Sequence, residues 1–388
     1  MIRIKVVLNN HKFPEDGSVT VTLPIDCEDY DRVIRQLDGL AIGSAKWRDC
    51  GFVTVMDGPD VLNRLEDSEI NIEELDYLAK RLDSFTASEL ATYSALALKH
   101  DLTDMTDLIN LCDCCQEALI VTDFSNMSRI GREYAMTQNG GAMAVDELEK
   151  LNLVAVARNL LSGNTGTVTP YGVLYDEGFS LEHIYEEGMI PPFYYRQGLM
   201  DIQVITEKDP DNCPEFTLPM PNQQILRHLE RIGYQNGDSY TIDVLGSELP
   251  NDLAEVLKTQ AEDVFSLNDT VSAVAALDAS EYEKLAAVMR YTSAGTLSRI
   301  RQVAEKLDMF EYIPGAQDPD DVGREIILNS GHFEVDPNLE DYIDYESYGL
   351  DHLRCGEGEF NPFGYVGYTG DDRLFFEQEH QQQMGGLT

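Results

Sequence analysis

"TVTLPIDCEDYDRVIRQL", residues 20–37, decides how this chain is built, because "EFTLPMPNQQILRHL" answers it at 215–229. Each stretch reads as a strand that ends in Leu-Pro, followed by an amphipathic helix with apolar residues every three or four positions. A three-residue gap separates the copies, and from Ile34 and Leu226 onward the offset is 192. The same spacing returns further along. "RLDSFTASELATYSAL" (81–96) matches "ALDASEYEKLAAVMRY" (276–291), and "RIGREYAMTQNG" (129–140) matches "DVGREIILNSG" (321–331). "LEKLNLVAVARNLL" (148–161) falls on "LEDYIDYESYGLDH" (339–352), and "TPYGVLYDEG" (169–178) on "NPFGYVGYTGD" (361–371). Five blocks in order, all offset by 191–195, read as an internal repeat of two modules, roughly 1–194 and 195–388.

Each module runs in the same coarse order. Short strands with turn signals come first ("NHKFPEDGS", "KDPDNCPE"), then the helix after Leu-Pro, then a strand ("GFVTVMD", "DSYTIDVLG"). A helical stretch follows over about 70–140 and 250–331, with Thr86 before "ASEL" and Ser280 before "EYEKL" as helix caps. A short helix and a closing strand pair end the module. The expected class is α+β, as two tandem acidic modules of small subdomains. In the first, 1–69 is β-rich, 70–142 helical and 143–194 C-terminal. In the second, the corresponding spans are 195–249, 250–332 and 333–376, and 377–388 is a flexible tail.

The 388 residues include 70 Asp+Glu and 28 Lys+Arg, a formal charge of −42. The modules carry −18 (15 bases, 33 acids) and −24 (13 bases, 37 acids), so the charge belongs to the repeat and not to a tail. Such a surface repels nucleic acid and anionic membrane and calls for a basic partner. Hydrophobic residues, at 43%, are enough for packed cores. The cysteines Cys27, Cys50, Cys112, Cys114, Cys115, Cys213 and Cys355 form no regular framework. They fit reduced thiols in a cytoplasm. With no signal peptide or long apolar run, a soluble cytoplasmic protein is expected.

The chemistry-bearing patterns are thin. "CDCC" (112–115) has no second cysteine pair to complete a zinc site. "EHIYEE" (182–187) places His183 and Glu187 on one helical face but reads as a surface helix. "EKDPDN" (207–212) and "DPDD" (318–321) lack calcium-loop spacing and read as turns and helix caps. The repeated Gly-Arg-Glu at 131–133 and 323–325 reads as a turn glycine and a structural ion pair. Phosphate-binding and nucleophile-elbow motifs are missing. Neither metal nor cofactor is expected, and no enzyme.

The charge is densest in "NLEDYIDYESYG", residues 338–349. Glu340, Asp344 and Asp351 share one face of a helix, and Tyr342, Tyr345 and Tyr348 form a second stripe that packs. Duplex DNA carries one charge per 1.7 Å, so 42 charges match roughly 70 Å of duplex. A compact sphere would dilute them, so a functional charge implies an elongated body.

"LEDYIDYESYGLD" resembles the Tyr-Ile-Asp-Tyr-x-(Ala/Ser)-Tyr-Gly-x-Asp stretch of the ArdA antirestriction proteins of plasmids, transposons and phages, their antirestriction motif. The following "GEGEFNPFGYVGY", the Leu-Pro-Ile-Asp of "VTLPIDCEDYDRVI" and the helix holding "VGREIILNSG" are similar too. The resemblance implies a non-enzymatic DNA mimic: a curved, elongated rod of three small subdomains that dimerises through its C-terminal part. The implied partner is a type I restriction–modification enzyme, held in the DNA groove of its methyltransferase and specificity subunits, with no direct nucleic-acid or membrane binding. Carried over, Glu340, Asp341, Asp344, Glu346 and Asp351 form the DNA-mimic surface, and Tyr342, Tyr345 and Tyr348 pack or dimerise.

Two departures matter. This chain has about twice the usual family length. Its first copy also replaces the motif with "LNLVAVARNLL" (151–161), which should be buried. Leu153, Val154 and Val156 would then form the other half of an intramolecular pseudo-dimer, a homodimer being the alternative. The rival functions are an acidic scaffold or chaperone-like binder of basic proteins, a high-salt adaptation, and an enzyme.

Overall fold

A computed structural model of the chain describes residues 2–139, 142–163, 165–191, 193, 198–207, 213–235, 238–261, 263–354 and 357–370. The tail at 377–388 and all but the first residue of the turn at 207–212 lie outside the described residues. By its contacts the chain divides into two units: Met1–Gln197 with Gln223–Asp238, and Gly198–Asn222 with Ser239–Thr388. The architecture is α+β in both.

The first unit begins with β1 (Ile4–Asn9), β2 (Ser18–Leu23), α1 (Cys27–Asp38), β3 (Cys50–Asp57) and β4 (Glu69–Ile70). The strands form an antiparallel sheet in the order β2-β1-β3-β4. Alternation puts Ile4, Val6 and Leu8 of β1 inward, against Val33, Ile34 and Leu37 of α1. A helical layer follows: α2 (Ile72–Ser84), α3 (Ala87–Lys99) and α4 (Met105–Cys114). The unit continues with β5 (Leu119–Val121), α5 (Met127–Thr137), α6 (Val145–Glu149), α7 (Leu153–Gly163), β6 (Thr167–Thr169) and β7 (Gly172–Tyr175). The second sheet is antiparallel, in the order β5-β7-β6.

In the second unit β8 (Met200–Thr206) and β9 (Glu215–Leu218) precede α8 (Asn222–Arg231), most of which falls in the first unit. Then come β10 (Tyr240–Ser247), α9 (Asn251–Thr259), α10 (Val264–Ala275), α11 (Tyr282–Tyr291), α12 (Leu297–Glu305) and β11 (Phe310–Pro314). The last elements are α13 (Pro319–Arg324), continued by a π turn over Glu325–Asn329, then α14 (Tyr345–Arg354), β12 (Glu357–Asn361) and β13 (Gly364–Tyr368). Its sheets are antiparallel, β10-β8-β9 and β11-β13-β12.

Helix starts recur at a fixed spacing. Asn71, Thr86, Asp104 and Asn126 cap α2, α3, α4 and α5 by accepting backbone N–H groups. Asp263, Asp278, Thr296 and Asp318, each 192 residues later, begin α10, the turn leading into α11, α12 and α13. Each cap is worth about 1 kcal/mol and fixes where a helix may begin. Thr86 and Asp278 both form full capping boxes, with Glu89 and Glu281. Ser280, expected to cap, instead lies inside the short 3-10 turn that Asp278 opens.

Three other expectations change. The stretches 70–140 and 250–331 are not wholly helical, since β5 and β11 interrupt them and pair with the closing hairpins. The segment 182–187 is not a helix. Asn110 accepts the N–H groups of Ile184 and Tyr185 (2.8 and 2.7 Å), and the Tyr185 hydroxyl donates to Glu74, so the strand-like strap lies on the helical layer. The repeated glycines Gly131 and Gly323 sit inside helices and not in turns.

Candidate functional site

The motif at 338–349 is a turn and a helix, not one helix. Glu340–Tyr342 make a single 3-10 turn, Ile343 is extended, and α14 starts at Tyr345. Asp344 causes the break. Its carboxylate accepts the Ser347 N–H at 3.0 Å and the Ser347 hydroxyl at 2.7 Å, capping α14. The backbone N–H bond, aided by the hydroxyl, holds Asp344 below the usual aspartate range. Glu340 therefore does not share a helical face with Asp344, whereas Asp344 and Asp351, seven positions apart, lie on one side.

The expected acids separate by exposure. Asp341, Asp344, Glu346 and Asp351 are exposed and Glu340 is half-buried. Asp351 pairs with Arg354 at 3.0 Å, which partly neutralises it. The tyrosines do not act as one stripe. Tyr345 is 2% exposed and Tyr342 85% exposed, because the first opens the helix and the second ends the turn before it. Tyr348 meets Phe333 edge-on, with ring centroids 5.9 Å apart.

Helix α14 is seated by backbone contact. A methyl group on Gly323 would lie 2.0 Å from the Tyr345 carbonyl oxygen, and one on Gly349 would lie 1.8 Å from that of Pro319. Only glycine lets α13 and α14 approach this closely. Arg324, one residue on, stacks its guanidinium 4.4 Å over the Tyr345 ring and pairs with Asp320 at 2.6 Å. Sequence reasoning missed these contacts, although two glycines inside helical patterns were the available signal. The span 318–354 holds eleven carboxylates and two arginines.

The helices α5 and α7 of the first unit make a similar crossing. A methyl on Gly131 would lie 1.8 Å from the Leu153 carbonyl oxygen, and α7 carries Ala157 where α14 carries Gly349. Asn152 caps α7 through the Ala155 N–H at 3.1 Å, in the place of Asp344. Leu153, Val154 and Val156 are half-buried, while Ala157 and Leu160 face the core with Ile130. The expected burial of this stretch thus holds for one side of the helix only.

Among the described residues no cluster of His, Cys, Asp or Glu could hold a metal ion, and no helix is long and apolar enough to cross a membrane. Cys112, Cys114 and Cys115 are buried free thiols, and Cys112 and Cys114 direct their S–H groups at carbonyls of their own helix. Fold and site together define an acidic α+β protein whose candidate site is a charged helical surface. The family model of the antirestriction protein ArdA matches residues 215–367, which include that whole surface. Residues 215–367 are thus similar to the ArdA family. No curated protein matches the chain.

Proposed function

We propose that the protein is an antirestriction DNA mimic: a non-enzymatic inhibitor that occupies the DNA-binding groove of a type I restriction–modification enzyme. One observation carries this reading. The ArdA match spans a helix crossing with eleven carboxylates and two arginines, so the family assignment and the charge coincide. Exposed Asp341, Asp344, Glu346 and Asp351 stand in for phosphates toward basic side chains that otherwise hold DNA. Tyr345 anchors the helix that presents them. We also propose that the chain is a tandem of two ArdA-like modules. The recurring caps and the two matching three-stranded sheets support that reading. Half-buried Leu153, Val154 and Val156 would then supply one side of an intramolecular pairing.

The test is competition. Purified protein is titrated into a type I methyltransferase core bound to labelled DNA. Displacement near one equivalent is expected, weakening as salt rises. Binding to polylysine and histones as tightly as to the methyltransferase would favour the acidic-scaffold reading instead. Light scattering that gives a stable dimer of chains would exclude the single-chain pairing.

A further inference from the structure

Helix α2 buries three acids within four positions, in a chain with 70 acids and only 28 bases. Glu73, Glu74 and Asp76 are 7%, 1% and 5% exposed. A buried carboxylate persists as an ion only with a cation and hydrogen bonds around it. Glu74 has Arg48 at 2.8 Å, and Asp76 has Lys80 at 2.8 Å and the Ile25 N–H at 2.6 Å. All of these come from residues 1–197. Glu73 differs.

The cations that pair with Glu73 come from α8. Arg227, itself 5% exposed, donates through Nε to Glu73 Oε1 at 2.5 Å, and Arg231 Nη2 lies 3.7 Å from Oε2. Tyr30 donates its hydroxyl to the same carboxylate at 3.0 Å, and Arg231 Nε also donates to the Ala45 carbonyl at 3.3 Å. Glu73 and Arg227 are 154 positions apart. Among the described residues, the ion pairs of Glu73 are those with Arg227 and Arg231.

The second half of the sequence does not return the arrangement. At the positions 192 further on, Glu73, Glu74 and Asp76 become Phe265, Ser266 and Asn268. Asn268 keeps the task of Asp76, accepting the Met220 N–H after the second Leu-Pro as Asp76 accepts that of Ile25 after the first. The Glu73 site therefore has no counterpart and is not part of what the halves share.

We infer that Glu73 is a docking site for α8, and that the first unit holds its native fold only while Arg227 and Arg231 occupy that site. Residues 1–197 alone would have Glu73 without its two cations, so the surface that α8 covers would hold an uncompensated carboxylate. This inference does not depend on what the protein binds.

Hydrogen exchange on the full chain tests it, comparing peptides of α2 with those of α10. Arg227→Gln is expected to lower protection of α2 by tenfold or more and to leave α10 unchanged. Removing both charges, in Glu73→Gln/Arg227→Gln, should recover most of the loss, because the stranded ion is gone. Unchanged α2 protection in Arg227→Gln would overturn the inference. So would a double variant no better than the single, since α8 would then be held by packing alone. If Arg227→Gln does not accumulate as folded protein, Arg227→Lys and the double variant are read in its place. Recovery of native α2 protection in both supports the site, and failure of both removes it.

Discussion

The helix pair α5/α7 and the pair α13/α14 have one backbone design and opposite surfaces. Over residues 126–162 there are four carboxylates and four bases, and over 318–354 eleven carboxylates and two arginines. Both pairs close over a helix glycine, Gly131 beneath Leu153 and Gly323 beneath Tyr345. Both rest on a three-stranded sheet: Ile130 and Leu160 cluster with Leu119 and Val121 of β5 in one, and Val322 clusters with Ile313 of β11 and Tyr365 of β13 in the other. The contrast teaches that the scaffold does not require the acids. A helix glycine sets both crossings, while packed residues around it differ as well, Tyr345 against Leu153 and Gly349 against Ala157. Most of the charge at 338–354 is on exposed side chains, with Asp344 also serving as the cap of α14.

Truncation should separate the two crossings most sharply. Tyr345→Ala removes a buried ring and the surface on which Arg324 stacks, and should destabilise the second unit by about 3–5 kcal/mol. Leu153→Ala, at a half-buried site, should cost about 1–2 kcal/mol. Urea unfolding of the two variants measures the gap, and equal losses would mean that Tyr345 anchors its crossing no more firmly than Leu153 anchors the other. Next in size is the glycine swap. Gly349→Ala drives a methyl into the Pro319 carbonyl and should cost about 3 kcal/mol, whereas Ala157→Gly should cost only about 1 kcal/mol. A harmless Gly349→Ala would show that the helices can part.

Surface charge comes third. Neutralising Asp341, Glu346 and Asp351 together, with the cap at Asp344 kept, should leave the unfolding free energy within about 0.5 kcal/mol but weaken competition with DNA roughly tenfold at low salt. The smallest effect is titration. Asp344 has a depressed pKa when folded, so its stabilising charge is present above the unfolded value and is lost as pH falls through the folded one. Asn152, its counterpart, has no charge to lose. Carboxyl NMR should show Asp344 titrating below the usual aspartate range. In Ser347→Ala, which removes the hydroxyl but not the N–H, it should move part of the way back.

Much of this was legible in the residues. The Leu-Pro strands, the helices after them, the closing hairpins and the cap at Thr86 follow from local chemistry, and helix caps recur at a spacing of 192. What stayed hidden depends on distant partners. β5 and β11 have three and five residues, too few to show alternation between helices. The 182–187 segment has a helical pattern, but Asn110 and Glu74 take its N–H groups and its tyrosine hydroxyl from α4 and α2. The spacing of Glu340, Asp344 and Asp351 suggested one helix, yet Asp344 turns its own side chain to the backbone and starts the helix there. Tyr342 is left outside the packed tyrosines for that reason.

The 154 residues between Glu73 and Arg227 also set an order of events on the ribosome. Synthesis at 5–20 residues per second puts about 8–30 s between the appearance of the acid and that of its base. During that interval Glu73 has no cation and must be solvated by water. If α8 is needed to close the first unit, as inferred above, that unit is completed only after residue 231 has been translated, well into synthesis of the second.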